Sequence, residues 1–251
     1  RRTVTYKGLV NIKRLPGIAD WSTKPGEGLH IGAATPLRDL ESSPSVTQRY
    51  SAQAESIRVI GSEQLRNMAP IGGNLCNASP AADSAPALIV SKATVTFTGN
   101  GEGTRSCLVE QFFSGHGRSI LDPDELLLSL EIPEPESDSG DCFQRFTPRG
   151  ALDIAVVSAA SRVTLDRSSG RVQEAVIALA AVAPTPVRAG KAEDALVGHE
   201  PTPDLMAQAA KIAREECNPI SDIRGSASYR QALIEVLVRR TLEQAVERAR
   251  T

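Results

Sequence analysis

The chain has 251 residues with 28 basic and 30 acidic side chains, a net charge of −2, so it is long enough for one large or two small domains and offers no basic surface for nucleic acid or an anionic membrane. No apolar run reaches the length of a membrane span, and no charged-then-apolar leader opens the sequence. Four scattered cysteines, Cys76, Cys107, Cys142 and Cys217, form no Cys-x-x-Cys pair and no Cys/His metal spacing. Such sparse use favours a reducing cytoplasm and places any iron–sulfur or metal centre in another chain.

The opening Arg1-Arg2-Thr3-Val4 lacks Met and runs straight into strand-like sequence, so the N-terminus is read as truncated. Residues 9–12 read as a short strand and residues 15–18, with Pro16-Gly17, as a turn. Trp21 precedes a Gly/Pro loop at 24–28. A strand over 29–34 then ends at Thr35-Pro36, where Thr35 is placed to cap a helix whose first turn holds Pro36. Residues 44–60 have helical spacing, with Val46, Tyr50, Ala54, Ile57 and Val59 on an apolar face closed by Gly61.

Residues 69–83 read Ala-Pro-Ile-Gly-Gly-Asn-Leu-Cys-Asn-Ala-Ser-Pro-Ala-Ala-Asp, a loop whose single charge is Asp83, and a short apolar helix is expected at 84–91. Gly72 and Gly73 permit positive φ and a close main-chain approach. Asn74, Asn77 and Ser79 carry short hydrogen-bonding side chains, and Pro70 and Pro80 stiffen the path. Asp83 either caps the following helix or reaches a ligand hydroxyl. The pattern suits a phosphate and a polyol together; the plainer alternative is a glycine-rich turn between two helices.

Strands are expected at 94–98 and 105–109, joined by a turn at Gly99-Asn100-Gly101, and again at 126–132. The acidic stretch 133–140, free of apolar side chains, is the expected domain boundary, dividing the chain into 1–135 and 140–251. Three strands follow at 142–146, 154–165 and 172–182, then helices at 204–217 and 226–249. The last helix carries an apolar stripe of Leu233, Ile234, Leu237, Val238, Leu242 and Ala245. This is an α+β pattern, a sheet covered by helices. His30, His116 and His199 stand in unlike contexts and are read as packing or surface residues. No Ser/His/Asp or Cys/His arrangement suggests nucleophilic catalysis.

The stretch 69–83 resembles the second flavin-binding loop of the FAD subunit of molybdenum hydroxylases, the xanthine dehydrogenase and aerobic carbon monoxide dehydrogenase family. The similarity extends through Ile31-Gly32-Ala33-Ala34-Thr35, the lead-in 61–68, the strand 126–133, the segment from Arg145 to Ala155 and the turn 183–189. It implies an FAD-binding domain of the vanillyl-alcohol-oxidase/PCMH type lacking its first subdomain, followed by a small C-terminal domain of a three-stranded antiparallel sheet with helices.

It further implies that the main chain of Gly72, Gly73 and Asn74 approaches the cofactor, that Asn77 and Ser79 bond its phosphate or ribityl oxygens, and that Asp83 accepts from a sugar hydroxyl. Ile31, Gly32, Ala33 and Thr35 would line the flavin side, with Leu127 against the ring system and Arg145 near the pyrimidine edge. Core packing for Leu127, a solvated place for Arg145 and a strand-ordering role for Asp153 are the plainer alternatives.

In three places the sequence departs from the family pattern. It starts after the family's first glycine loop, Ala69-Pro70 replaces the usual Gly-Thr, and Arg145 replaces Lys. The implied function is electron relay: FAD takes electrons from a 2Fe–2S cluster in a small partner subunit and passes them to NAD+, oxygen or a quinone, while a large molybdopterin subunit oxidises the substrate. A heterotrimer or a dimer of heterotrimers would house it. A docking subunit that no longer binds FAD and a stand-alone flavoprotein oxidase are the alternatives.

Overall fold

A computed structural model describes residues 8–99, 103–150 and 152–251. The opening at residues 1–7 and most of the expected turn at 99–101 lie outside the described residues. Residues 9–12 do not form the expected strand. Leu9 and Val10 are exposed, with no partner strand among the described residues, and a 3-10 turn follows at Ile12–Arg14.

Trp21–Lys24 (β1) and Gly28–Gly32 (β2) form a hairpin in which Trp21 faces Ile31, so Trp21 begins a strand that the sequence did not suggest. Leu37–Ser42 (α1) follows. The helix expected over 44–60 is two, Pro44–Arg49 (α2) and Ser51–Arg58 (α3), broken at Tyr50 with φ −129° and ψ 61°. The break redirects the chain so that Val46, the Tyr50 ring, Ala52 and Ile57 all reach one core, and that burial outweighs helix continuity.

Glu63–Arg66 (α4) leads to Ile71–Cys76 (α5) and Ser84–Val90 (α6). The glycine stretch is therefore helical in its first part rather than an open loop. Thr94–Thr98 (β3) and Thr104–Leu108 (β4) make the expected hairpin. A small hairpin, Phe113–Gly115 (β5) with Arg118–Ser119 (β6), precedes Leu126–Ile132 (β7). These strands, without β5 and β6, form an antiparallel sheet in the order β1-β2-β7-β3-β4. Its alternation is that of a one-sided sheet: Val95 and Phe97 are buried while Thr94, Thr96 and Thr98 are half-buried.

The second sheet has three long strands, Ser139–Phe146 (β8), Val157–Leu165 (β9) and Val172–Ala180 (β10), with a two-residue edge strand Val187–Arg188 (β11), ordered β11-β10-β9-β8. Ser139 and Gly140, expected in the connecting stretch, already belong to β8. The strand expected from residue 154 starts at Val157, because Leu152 takes a φ of +53° and Ile154 is half exposed. Gly190–Asp194 (α7), Pro203–Glu215 (α8) and Ala227–Ala249 (α9) complete the chain. Thr202 and Ser226 cap α8 and α9 through hydrogen bonds from the Leu205 and Tyr229 amides.

All nine residues of β9 are buried, since α9 covers one face of the second sheet and α6 the other. For the same reason every residue of α6 is buried, and Phe143, Ala160, Val176 and Ala178 of the second sheet join the core of the first half. A second core lies between β9, β10, α8 and α9. Among the described residues no helix is long and apolar enough to cross a membrane.

Candidate functional site

The junction after β2 is closed by main-chain bonds to the start of α5. The Ala33 amide donates to Leu128 O at 2.8 Å, and Ala33 O accepts from the Gly72 amide at 3.0 Å. Thr35 O accepts from Ile71 N at 3.2 Å, and Leu37 N donates to Ala69 O at 3.0 Å. Thr35 is fully buried and its hydroxyl donates to Ala19 O at 3.1 Å, so it does not cap α1; Pro36 holds the cap position and bridges to Pro70. The need to seal two crossing backbones in a dry interior decides this.

Gly32 and Gly72 are glycines for the same reason. A Cβ on Gly32 would lie 2.4 Å from Ile18 O, and one on Gly72 would lie 2.5 Å from Ala33 O. Neither Gly72 nor Gly73 takes a positive φ. The close approach at Gly72 is thus to the protein's own main chain. Ile31, 2 % exposed, and Leu127 point into the first core, with Leu127 opposite Phe97. A register shift between Thr96 and Phe97 leaves Leu128, half-buried, on the other side of the strand.

From Gly73 onward the surroundings change. Gly73 is exposed, with Pro70 Cγ at 3.4 Å the nearest atom to a Cβ built there. Asn77 ends α5 and is exposed, Ala78 follows with φ +46°, and Ser79 is half-buried, its hydroxyl accepting from Ala81 N at 3.3 Å. Asn74 Oδ1 accepts from the Ser84 hydroxyl at 2.6 Å, which ties α5 to α6.

Asp83 does not cap α6. Its backbone is already helical, φ −64° and ψ −29°, so the carboxylate cannot fold back onto the first-turn amides. The side chain crosses instead to β8, where Arg145 Nη1 donates to Oδ2 at 2.5 Å, and the two side chains are 9 % and 7 % exposed. Arg145 is therefore not a solvated strand residue. Asp83 Oδ1 is buried and has no hydrogen-bond partner among the described residues. Burial pushes the Asp83 carboxyl up to about 6, with the Arg145 guanidinium pulling the other way.

Beyond Ser79 a cavity of about 440 Å³ opens between the two halves, walled by Ser79, Pro80, Ala81, Ile154, Ala183 and Arg230 among others. No motif singles out Arg230 in the sequence; its one signal is its place four residues before Ile234, at a spacing that continues the apolar stripe of α9. Leu128 carries no local signal either, and only the strand irregularity between Thr96 and Phe97 reveals its direction. Asp153 accepts from the Arg149 and Ile154 amides and pairs with the Arg149 side chain, so it orders the approach to β9.

Compared with known proteins, residues 1–135 match the family model described as the FAD binding domain in molybdopterin dehydrogenase, and residues 143–245 match the carbon monoxide dehydrogenase flavoprotein C-terminal domain. The 6-hydroxypseudooxynicotine dehydrogenase complex subunit alpha of Paenarthrobacter nicotinovorans is 33 % identical over 242 residues, covering 96 % of this chain and 80 % of its own. Among solved structures, a chain of the carbon monoxide dehydrogenase from Hydrogenophaga pseudoflava superposes with a TM-score of 0.88 at 32 % identity, covering 94 % of this chain and 81 % of that one. A chain of quinoline 2-oxidoreductase from Pseudomonas putida 86 gives 0.87 at 28 % identity, covering 96 % and 82 %.

Proposed function

The chain belongs to the family of FAD-binding domains in molybdopterin dehydrogenases, an oxidoreductase family with FAD as its cofactor, and from that premise we propose that it is the flavin subunit of a multi-subunit molybdenum hydroxylase. The FAD it holds would accept electrons from a 2Fe–2S cluster and deliver a pair to an external acceptor such as NAD+, oxygen or a quinone. The two sheet-centred halves, 1–135 and 140–251, would be its flavin domain and C-terminal domain.

The observation that carries the site reading is the unpartnered oxygen of Asp83. A buried carboxylate oxygen without a donor is costly, and a ligand hydroxyl would supply the missing bond. The residues around it fit a dinucleotide: Gly73 and Asn77 are exposed for phosphate oxygens, Ser79 stands beside them, and Arg145 keeps the carboxylate oriented. Asn74 would position α6 rather than touch the cofactor. Ile31, Gly32, Ala33, Thr35, Gly72 and Leu127 would hold the wall behind, with Leu128 facing the ligand.

A small iron–sulfur subunit and a large molybdopterin subunit are the partners this reading requires, in a heterotrimer or a dimer of heterotrimers. Four free cysteines support a cytoplasmic location. Pro70 favours a second reading, a docking subunit without FAD, because it has no amide to offer at the start of α5. Purification of the intact complex separates the two. Flavin released on denaturing this subunit is the expected result, and a colourless subunit that takes up no added FAD would favour docking alone.

A further inference from the structure

Arg230 occupies a helix position whose spacing calls for an apolar side chain, and it is 3 % exposed. Its Nη1 donates to Val156 O at 2.5 Å and to Ala181 O at 3.1 Å, and its Nη2 donates to Asp222 Oδ1 at 2.7 Å. The Nε is buried without a partner among the described residues. A buried cation with one donor unmatched is a poor way to fill space, where a methionine or leucine serves better. Its contacts therefore need another reason.

The acceptors come from three separate segments. Val156 ends the run that carries Asp153 and Ile154, Ala181 follows β10, and Asp222 lies ahead of α9. Ala181 takes a φ of +63°, a conformation unfavourable for a residue with a Cβ, and it is held from both sides. Arg230 binds its carbonyl, and its amide donates to Pro80 O at 2.6 Å in the other half of the molecule. One guanidinium thus reaches, through a single strained residue, the Ser79–Pro80 turn that follows Asn77. The cavity of about 440 Å³ lies at this junction, with Pro80, Ala181, Ile154 and Arg230 in its walls.

We propose that Arg230 is a positioning residue: it fixes the Ala181 corner against Pro80 and so sets the width of the cavity between the two halves. The effect on cofactor rests on the flavin reading above, whereas the effect on the corner does not.

The test compares Arg230→Met, Arg230→Lys and Asp222→Asn by amide hydrogen exchange in the intact protein. In Arg230→Met the Ala181 amide exchanges about tenfold faster or more, while Ile177 in the middle of β10 stays within about twofold of wild type. Arg230→Lys recovers part of the protection, and Asp222→Asn, which leaves both carbonyl contacts in place, stays within about twofold. On the flavin-bound protein, Arg230→Met weakens FAD binding about fivefold and alters the visible flavin band, and Lys restores both in part.

Unchanged Ala181 exchange in a folded Met variant overturns the proposal, as does acceleration spread evenly over β10. If the Met variant does not fold, an acceleration in Arg230→Lys confined to Ala181 supports the proposal and a uniform or absent one overturns it. A loosened Ala181 corner in a protein that binds no flavin would leave the positioning role standing and remove the flavin reading instead.

Discussion

Gly72 and Gly73 are neighbours in sequence and opposites in surroundings. Upstream of their junction, from Ile31 to Gly72, the amides of Gly32, Ala33, Thr35, Ile71 and Gly72 all bond to protein carbonyls, and the side chains of Ile31 and Thr35 are buried. Downstream, from Gly73 to Asp83, Gly73, Cys76 and Asn77 are exposed and a buried carboxylate oxygen lacks a donor among the described residues. The contrast teaches that a glycine pair does not announce its use. One glycine admits the protein's own backbone and the other leaves a surface open, so a side chain added at Gly72 should damage the fold and one added at Gly73 should spare it and weaken binding.

The largest effect expected is at Gly72. Gly72→Ala drives a Cβ into the Ala33 carbonyl, so a loss of about 3 kcal/mol or more is expected in chemical denaturation. Gly73→Ala meets only ordinary contact and gains helix propensity, so its stability stays within about 1 kcal/mol of wild type. Equal losses at the two positions would erase the distinction. The same division runs through β7: Leu127→Ala opens a core cavity worth about 2–4 kcal/mol, whereas Leu128→Ala costs under about 1 kcal/mol.

Asp83 sharpens the comparison through pH. Its carboxyl sits at about 6 in the folded protein against an ordinary 3.8, so the folded state keeps a proton that the unfolded chain has already released. Stability should therefore fall as pH rises from about 4 to about 6, by up to about 3 kcal/mol, and Asp83→Asn should lack that slope in denaturation curves taken across the window. A wild-type curve parallel to the variant's would show that the carboxyl is not held in this way. At the small end, Asn77→Ala should shift stability by less than about 0.5 kcal/mol while weakening FAD affinity by about 1 kcal/mol in calorimetric titration.

The frame was legible where one periodicity ruled a segment. The alternation of Val95 and Phe97 located β3, and the stripe from Ile234 to Ala245 located α9 almost to the residue. Elements failed to show where tertiary packing overrode local pattern. Tyr50 breaks a helix to bury its ring, Thr35 gives its hydroxyl to Ala19 rather than to a helix start, and α5 forms from a Gly-Gly-Asn run of weak helix preference because Ile71 and Leu75 bury against the first core.

In the site, the residue types of Asn77, Ser79 and Asp83 could be read directly, but their surroundings could not. The Asp83–Arg145 pair joins positions 62 residues apart, and nothing local links them. Leu127 and Leu128 are the same residue type, and only the register shift against β3 decides which one faces the core.

The most direct measurement is an FAD titration of the intact protein beside its Gly73→Val variant. A Cβ there meets no protein atom closer than Pro70 Cγ at 3.4 Å, and position 73 is on the exposed face of α5. The expected result is a folded variant of near wild-type stability whose FAD affinity falls about tenfold or more, next to a wild type that binds one FAD per chain. A variant that binds FAD as tightly as the wild type would contradict it.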